Sequence, residues 1–207
     1  MRFQYGEIDT ESKQLWSEAY DLLLAKSIRT KREDIFRRIY FGEMIIPQEM
    51  LLLSKYDDLI LVGRPDAIVF DRAMPILLFE YKFSKSSIPY RSYQVQAKIY
   101  GKILEGMGFN VSKLHYAIAI VPPALRHDQE LSKKIFEAVI KNGFKETKIE
   151  VEEATIHVFR YLSESAEEEI DWALDLWKGI REAIPTQNPN KCKSCEYLNE
   201  CSSSVKL

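Results

Sequence analysis

The sequence of 207 residues lacks the features of a membrane protein or a secreted protein. It contains no apolar run of about 18 residues, the length needed to span a bilayer, so no membrane-spanning helix is predicted. Residues 1–10 lack the charged and then apolar layout of a signal peptide, which favours a cytoplasmic location. Neither sign of charge dominates, with 29 basic and 31 acidic residues, so any contact with nucleic acid needs a local basic surface.

Cysteine is scarce, and all three copies lie close to the end of the sequence, at Cys192, Cys195 and Cys201. Three thiols cannot make a disulfide framework, so metal binding explains their spacing better. Internal repeats and low-complexity linkers are also missing, and the length of 207 residues indicates one domain, or one domain with a small appendage. We predict a main domain over residues 1–184 and a cysteine-rich tail over residues 185–207 that packs on it.

The most informative stretch is an apolar run that ends in charged residues, residues 76–82 with the sequence ILLFEYK. Such a run predicts a buried strand. Side chains alternate along a strand, so Glu80 and Lys82 share one face and Tyr81 points to the other. Asp66 follows Gly-Arg-Pro fourteen residues before Glu80, a spacing that fits one strand-turn-strand unit. Two carboxylates with a lysine beside them predict a divalent-metal site for phosphodiester cleavage.

Ordinary structural roles are the alternatives for these residues. Asp66 could stabilise a turn, because aspartate is common in turns that contain glycine and proline. Glu80 and Lys82 could form an ion pair at the surface of an edge strand. The four apolar residues that precede Glu80 argue against an edge strand, so the active-site interpretation is favoured.

Hydrophobic periodicity predicts an α/β fold around this stretch. The predicted strands are residues 49–56, 59–62, 67–70, 76–83, 115–121 and 155–161. The predicted helices are residues 11–26, 30–42, 90–107, 129–141 and one that begins at residue 165. Capping-box spacing supports two of these helix starts, at Thr30 and at Ser165.

Two polar residues of the third predicted helix, Gln96 and Tyr100, are one turn apart and therefore share a face. Tyr100 could instead be a core residue and Gln96 an amide at the edge of the core. At the start of the same helix, Tyr90 and Tyr93 flank Arg91, and the two rings could stack on a single strand of nucleic acid. Packing in the core explains these two tyrosines equally well.

Three of these motifs together resemble a known family. Residues 65–66 (PD) and 80–82 (EYK) resemble the signature of the PD-(D/E)xK nuclease superfamily, and residues 96–100 resemble the Q-x3-Y motif of its RecB-like branch. Residues 192–201 are similar to the cysteine cluster of the CRISPR-associated RecB-like exonucleases. The resemblance implies a restriction-endonuclease-like core, in which helices flank a mixed β-sheet, with N-terminal helices before it and a metal-binding tail after it.

The resemblance also implies a role for each matching residue. The catalytic residues would be Asp66, Glu80, Lys82, Gln96 and Tyr100. The ligands of a Mg²⁺ or Mn²⁺ ion would be Asp66, Glu80 and the backbone carbonyl of Tyr81. The resemblance also implies that Gln96 and Tyr100 contact DNA, whereas Arg91 and Lys98 are candidates for the local basic surface that a contact with DNA needs. The ligands of a 4Fe–4S cluster would be Cys192, Cys195 and Cys201.

The sequence departs from the family at one metal ligand. RecB-like nucleases carry a histidine before the first strand, whereas His115, His127 and His157 all follow the motif. Glu33 could supply an oxygen ligand in its place, and a capping-box role with Thr30 explains Glu33 equally well. His115 and His157 lie in predicted strands, which favours buried and hydrogen-bonded histidines.

The cysteine cluster also departs from the family, which uses four thiolates where this sequence supplies three. Ser27 stands about where the fourth cysteine is expected. A 4Fe–4S cluster with a different fourth ligand, a zinc ion and no metal at all are therefore open alternatives.

We therefore predict a metal-dependent DNA nuclease, a phosphodiester hydrolase. It would act as an exonuclease on single-stranded DNA or DNA ends, with endonuclease activity as an option. Its setting would be CRISPR adaptation, DNA repair or viral genome processing. Its partners would be DNA, other CRISPR adaptation or recombination proteins, and further copies of the chain.

Two alternatives to this function are open. A DNA-binding or scaffold subunit could keep the fold without cutting, and the missing histidine and cysteine favour it. The intact Asp66, Glu80 and Lys82 argue against it, because a site that has lost its function would lose these first. A junction resolvase or restriction-type endonuclease would share the core but would not require the pair Gln96 and Tyr100.

Overall fold

The computed structural model divides into two compact units, Met1–Glu167 and Glu168–Leu207. A five-stranded mixed sheet flanked by helices dominates the first unit. The structure describes residues 32–42, 46–186, 189–193 and 195–205. The predictions for the helix at residues 11–26, for Ser27 and for the cap at Thr30 lie outside these ranges. The predicted class, a restriction-endonuclease-like α/β core, is confirmed. The predicted boundary at residues 184 and 185 stays a prediction.

The elements follow one another in a mixed order. The strands are β1 (Leu52–Tyr56), β2 (Leu59–Gly63), β3 (Ala67–Asp71), β4 (Met74–Phe83), β5 (His115–Val121), β6 (Thr147–Val151) and β7 (Ala154–Arg160). The helices are α1 (Arg32–Tyr40), α2 (Arg91–Gly106), α3 (Gln129–Lys141), α4 (Ser163–Trp177) and α5 (Pro189–Lys193), with a 3₁₀ turn at Pro123–Leu125. None of the helices in the described ranges combines the length and apolar character that a membrane crossing needs.

The strand that carries the predicted site is an inner strand of the sheet. β4 pairs with β3 in antiparallel fashion and with β5 in parallel, in the sheet order β3-β4-β5-β7-β6. A parallel pair needs a long crossover connection, which α2 supplies between β4 and β5. β4 is an inner strand, and the side chains of Glu80 and Lys82 are only 3% and 17% exposed, so the explanation as an ion pair at the surface of an edge strand is wrong.

Both faces of the sheet are covered, and the alternation of side chains divides the core into two clusters. One cluster contains Leu78 of β4 together with Ile103 of α2. The other contains Phe79 of β4 together with Ile135 of α3. The near-continuous apolar runs of β4 and β5 fit strands that are buried on both faces.

The same alternation separates the polar side chains at the end of β4. Glu80 and Lys82 lie on the face of α2, where Lys82 reaches Gln96. Tyr81 lies on the face of α3, where its hydroxyl donates to the backbone carbonyl of Ser132 at 3.3 Å. The prediction that Glu80 and Lys82 share a face is therefore confirmed.

Helix α2 can lie close to its neighbours because glycines stand at two points of contact. A Cβ on Gly63 of β2 would lie 2.5 Å from the ring of Tyr100, and a Cβ on Gly101 would overlap the ring of Tyr161. The helix ends close to the predicted position. Gly108 follows it with a φ of 87°, a left-handed conformation that commonly ends helices.

Some predicted boundaries are wrong. β1 begins at Leu52 rather than at residue 49, and Glu49 has a left-handed φ of 49°. α4 begins at Ser163, so Ser165 lies inside the helix and is not its cap. The strand β6 was not predicted, because its side chains are mostly exposed and little apolar periodicity marks it.

The two strand histidines are hydrogen-bonded as predicted but are not buried. His115 Nδ1 lies 3.0 Å from the carbonyl of Lys113, and His157 Nε2 lies 2.9 Å from the carbonyl of Ser87. Both residues keep part of their surface in solvent. The prediction of burial is therefore wrong, since each histidine finds its partner at the surface.

Candidate active site

Asp66 and Glu80 meet where β3 begins and β4 approaches its end. The backbone N–H of Asp66 donates to Glu80 Oε1 at 3.3 Å, and the N–H of Tyr81 donates to Asp66 Oδ2 at 2.7 Å. The pairing of β3 with β4 stops at Ala67 and Phe79. Beyond that point the Asp66 side chain accepts the Tyr81 N–H, which a residue of β3 would accept if the pairing continued. The structure thus brings the two predicted carboxylates together.

Pro65 explains why the pairing stops at this point. Pro65 would stand opposite Tyr81 if the antiparallel register continued, and proline has no N–H to donate. In an antiparallel pair the N–H and the carbonyl of one residue point to the same side. The Tyr81 carbonyl therefore faces Pro65, where the chain supplies no backbone N–H to donate to it. This fits the predicted role of the carbonyl as a metal ligand.

The Lys82 ammonium joins the carboxylates to α2. Its Nζ lies 2.7 Å from Glu80 Oε2 and 2.8 Å from Gln96 Oε1. Only 17% of the Lys82 side chain and 3% of the Glu80 side chain are exposed, so solvent ions screen this pair little. Residues from one strand and one helix thus form a single hydrogen-bonded group.

Tyr100 completes this group on the side of α2. Gln96 Nε2 donates to the Tyr100 hydroxyl at 2.6 Å, and the hydroxyl donates to the carbonyl of Arg64 at 3.4 Å. The Tyr100 ring belongs to the core, so the core alternative is correct for the ring, while the hydroxyl belongs to the site. These bonds hold the Gln96 amide with its oxygen towards Lys82. The predicted contact of this pair with DNA stays a prediction.

Burial raises the pKa of both carboxyl groups, Asp66 and Glu80. For Asp66 the loss of solvation is the largest cause of the raised pKa, which the N–H of Tyr81 and the charge of Lys82 oppose and the charge of Glu49 increases. For Glu80 the loss of solvation again comes first, opposed by the hydrogen bond from Lys82 and increased by the charge of Asp66. The charges of Lys82 and Arg64 thus leave the half-buried Asp66 and the buried Glu80 incompletely compensated, so a further cation would be favourable here.

The donors at this position suit a hard divalent cation. Among the residues that the structure describes, no three side chains of histidine, cysteine, aspartate or glutamate form a group that could hold a metal. The described part of the chain therefore offers two carboxylates, Asp66 and Glu80, together with the carbonyl of Tyr81. Magnesium is typically held by one or two carboxylates with water in its other positions, and manganese also prefers oxygen ligands. The residues present fit such an ion.

The other predicted site residues relate to this group in different ways. Glu33 lies in α1, but its side chain is outside the described part of the chain, so its role as a ligand stays a prediction. Arg91 is the first residue of α2. Lys98 stands about 200° around the axis of α2 from Gln96, at about 100° per residue, so the two residues lie on nearly opposite faces of the helix. The predicted DNA contacts of Arg91 and Lys98 stay predictions.

Tyr93, for which the sequence left stacking on nucleic acid and packing in the core as alternatives, contacts the site through Lys82. Its ring centroid lies 5.3 Å from Lys82 Nζ, within the range of a cation–π interaction. Tyr93 is half-buried and packs against the core cluster on the face of α2. Tyr90 is 54% exposed, so the alternative of core packing is wrong for Tyr90. The sequence places Tyr93 and Gln96, three residues apart on a helix, on one face, but only the fold brings that face to Lys82.

Glu49 and Arg64 are charged neighbours of the site that sequence reasoning missed. The Glu49 N–H donates to the backbone carbonyl of Asp66 at 3.1 Å, and Arg64 Nη1 lies 3.9 Å from Glu49 Oε2. The charge of Glu49 raises the pKa of Asp66, and the charge of Arg64 lowers it. No motif marks residue 49, because only the folded chain places it beside Asp66.

The three cysteines do not form a metal centre as the structure places them. All three are free thiols, with Cys192 buried and Cys195 and Cys201 exposed. They belong to no metal-holding group within the described ranges. The predicted iron–sulfur cluster therefore receives no support from the geometry.

One comparison with known proteins, the match to a family model, agrees with the chemistry of the site. A family model described as the PD-(D/E)XK nuclease superfamily matches residues 3–202. A search of curated proteins finds no match. Seven chains of solved structures match, among them the crystal structure of SSO0001, which is 15% identical with a TM-score of 0.44 over 95% of this chain and 73% of that chain. The family model spans every residue of the hydrogen-bonded group.

Proposed function

This chain belongs to the PD-(D/E)XK nuclease superfamily, and from that premise we propose that it is a divalent-metal-dependent deoxyribonuclease acting on single-stranded DNA or DNA ends. One observation carries the proposal: the Lys82 ammonium lies 2.7 Å from Glu80 and 2.8 Å from Gln96. Beside it, Asp66 and Glu80 are two incompletely compensated carboxylates. A carboxylate pair with a fixed ammonium is suited to hold a phosphodiester and the cation that accompanies it.

Lys82 has one donor available for substrate. An ammonium carries three N–H donors, and the contacts to Glu80 and Gln96 use two of them. The third can donate to an oxygen of the scissile phosphate. Because Glu80 and Gln96 hold the ammonium in place before substrate arrives, little reorganisation is needed when negative charge develops on the phosphate.

Asp66, Glu80 and the Tyr81 carbonyl would hold the divalent ion. A bound Mg²⁺ or Mn²⁺ would supply the charge that lowers the pKa of a water molecule and offsets the charge of the phosphate. The protein's own contribution is orientation. The Tyr81 N–H fixes one oxygen of Asp66 at 2.7 Å, and the Asp66 N–H and Lys82 fix the two oxygens of Glu80.

The proposal includes a cellular setting and a location. The spacing of the Q-x3-Y motif and of the cysteine tail supports a RecB-like nuclease in CRISPR adaptation, with DNA repair and viral genome processing as the other settings. Other CRISPR adaptation or recombination proteins would then act on the same DNA. A cytoplasmic location is part of this proposal.

A cleavage assay tests the proposed activity. The substrates are end-labelled linear single strands, blunt duplexes and circular single strands, each incubated with Mg²⁺, Mn²⁺ or EDTA. We expect linear single strands to be cut with either metal and to stay intact in EDTA. Shortening from an end indicates an exonuclease, and opening of circles indicates an endonuclease. Absence of cleavage on every substrate would overturn the proposal, and DNA binding without cleavage would support the scaffold alternative.

The cysteine tail leads to a separate proposal that rests on sequence spacing alone. Cys192, Cys195 and Cys201 would bind an iron–sulfur cluster, or a zinc ion in its place, once the three thiols converge. Protein purified without oxygen is then expected to contain iron and to be brown. Cys195→Ser should lose the metal and keep cleavage, because the carboxylate site is separate. Protein that contains neither iron nor zinc would contradict this.

A further inference from the structure

Two tyrosine rings lead away from the candidate active site towards solvent. Lys82 Nζ lies 5.3 Å from the ring centroid of Tyr93. The Tyr93 ring in turn lies 5.3 Å from the ring of Tyr90, with an angle of 75° between the two planes. Tyr93 is half-buried, whereas Tyr90 is 54% exposed. The lysine that we assign to the phosphate is thus followed by a half-buried ring and then by an exposed ring.

The backbone around Tyr90 is held in place, so its ring is exposed at a defined position. The loop between β4 and α2 is anchored at its start, where the Ser84 N–H donates to the carbonyl of Val121 at 3.1 Å. In its middle, the carbonyl of Ser87 lies 2.9 Å from His157 Nε2. At its end, the Tyr90 carbonyl accepts from the Tyr93 N–H at 3.0 Å. Because the backbone is already fixed, a stacking contact with the Tyr90 ring costs less conformational entropy.

Burial does not explain the exposed ring, and helix capping does not explain it either. Tyr90 is the N-cap residue of α2, but its side chain makes no capping hydrogen bond. Serine, threonine, aspartate and asparagine are the residues that stabilise a helix at this position. Tyrosine therefore stands where a small polar residue would serve the fold better, which points to a use for its ring outside the fold.

We propose that Tyr90 stacks on a DNA base close to the scissile phosphate, supported from behind by Tyr93, and that this contact selects unpaired DNA. The inference rests on the proposed function and names the residue that selects the substrate form at the same site. Aromatic side chains stack on bases of any sequence, because every base has a π face. In a duplex both faces of an internal base are covered by its neighbours, so Tyr90 can reach a base face only in a single strand or at an end.

The test combines removal of the ring with removal of the base. Linear single strands are prepared with one abasic position, moved one nucleotide at a time from the cleaved bond. Wild-type protein is expected to show a KM raised about 5- to 150-fold at one position, since stacking contributes about 1–3 kcal/mol per base. The value of kcat should change little. Tyr90→Ser should show the raised KM on the intact strand and no further rise at that abasic position.

Serine is chosen because it favours the N-cap, so loss of the ring should not weaken α2. Tyr90→Phe keeps the ring and should behave as wild type. Phe41→Ser is the matched control, because Phe41 is 71% exposed and the adjacent Gly42 lies against Arg72, past the end of β3 that is remote from Asp66, and its KM should be unchanged. The thermal midpoint of each variant confirms that it is folded.

The outcomes separate this inference from the proposed function. If wild-type protein cuts single strands and Tyr90→Ser keeps the full sensitivity to the abasic position, the stacking proposal is overturned and the nuclease stands. Equal cleavage of blunt duplexes and single strands, unaltered in Tyr90→Ser, would also overturn it. If wild-type protein cuts no DNA with Mg²⁺ or Mn²⁺, both proposals fail together.

Discussion

Asp66→Asn is expected to lower the rate of DNA cleavage by about 10²- to 10⁴-fold while the protein stays folded. Asparagine keeps an oxygen that can accept the Tyr81 N–H, which Asp66 Oδ2 now accepts at 2.7 Å. It removes the negative charge that a divalent cation needs. The measurement is the initial rate on a labelled single strand with Mn²⁺, together with a thermal unfolding curve.

Glu80→Gln and Lys82→Ala should reduce cleavage on the same scale, since each removes one partner of the 2.7 Å ion pair. Lys148→Ala is the control, because Lys148 forms an exposed ion pair with Glu150 in β6 and such pairs contribute little to stability. Its cleavage rate should match wild type. Cleavage at the wild-type rate by either Asp66→Asn or Glu80→Gln would place the active site elsewhere.

Removal of divalent metal is expected to abolish cleavage, and the stabilisation that metal provides should grow with pH. Burial raises the pKa of Asp66 and of Glu80. Their contribution to stability is therefore fully present below the pKa of the unfolded chain, near 4, and is lost as pH rises through the folded values. A divalent cation binds the ionised carboxylates and offsets this loss. Without metal, these two groups should therefore make the protein less stable at pH 7.5 than at pH 5.

The measurement is the shift in Tm on adding Mn²⁺ at pH 5 and at pH 7.5. At about 100 times its Kd a ligand adds roughly 2.7 kcal/mol, or a rise of about 5–10 °C for a chain of this size. The shift should be larger at pH 7.5 and absent in Asp66→Asn. Cleavage that persists in EDTA, or an equal Tm shift in Asp66→Asn, would contradict a metal held by these carboxylates.

Much of the fold could be predicted because local patterns decide it. The bounds of β5 and α3 agree with prediction at both ends, and α2 agrees within one residue. These elements have strong apolar periodicity and clear ends, such as Pro122 after β5 and Gly143 after α3. The strand β6 escaped prediction because a short, mostly exposed strand has too little apolar pattern to identify it. Its pairing with β7 stabilises it instead.

The candidate site was predictable in part for the same reason. The period of two along β4 places Glu80 and Lys82 on one face, and the helical period places Gln96 and Tyr100 on one face. Both statements need only the sequence. Neither reveals that the two faces meet, because that depends on the crossover of α2 onto this side of the sheet.

The sequence by itself therefore determined the fold class, the superfamily signature and which polar residues share a face, because these follow from local periodicity and spacing. Only the tertiary structure decided that Lys82 bridges Glu80 and Gln96. It also decided that Asp66 takes the Tyr81 N–H where Pro65 ends the strand pairing, and that the ring of Tyr90 stays in solvent. The physical reason is that these contacts join segments that are distant along the chain, and packing of the sheet and α2, rather than any local preference, sets their distances.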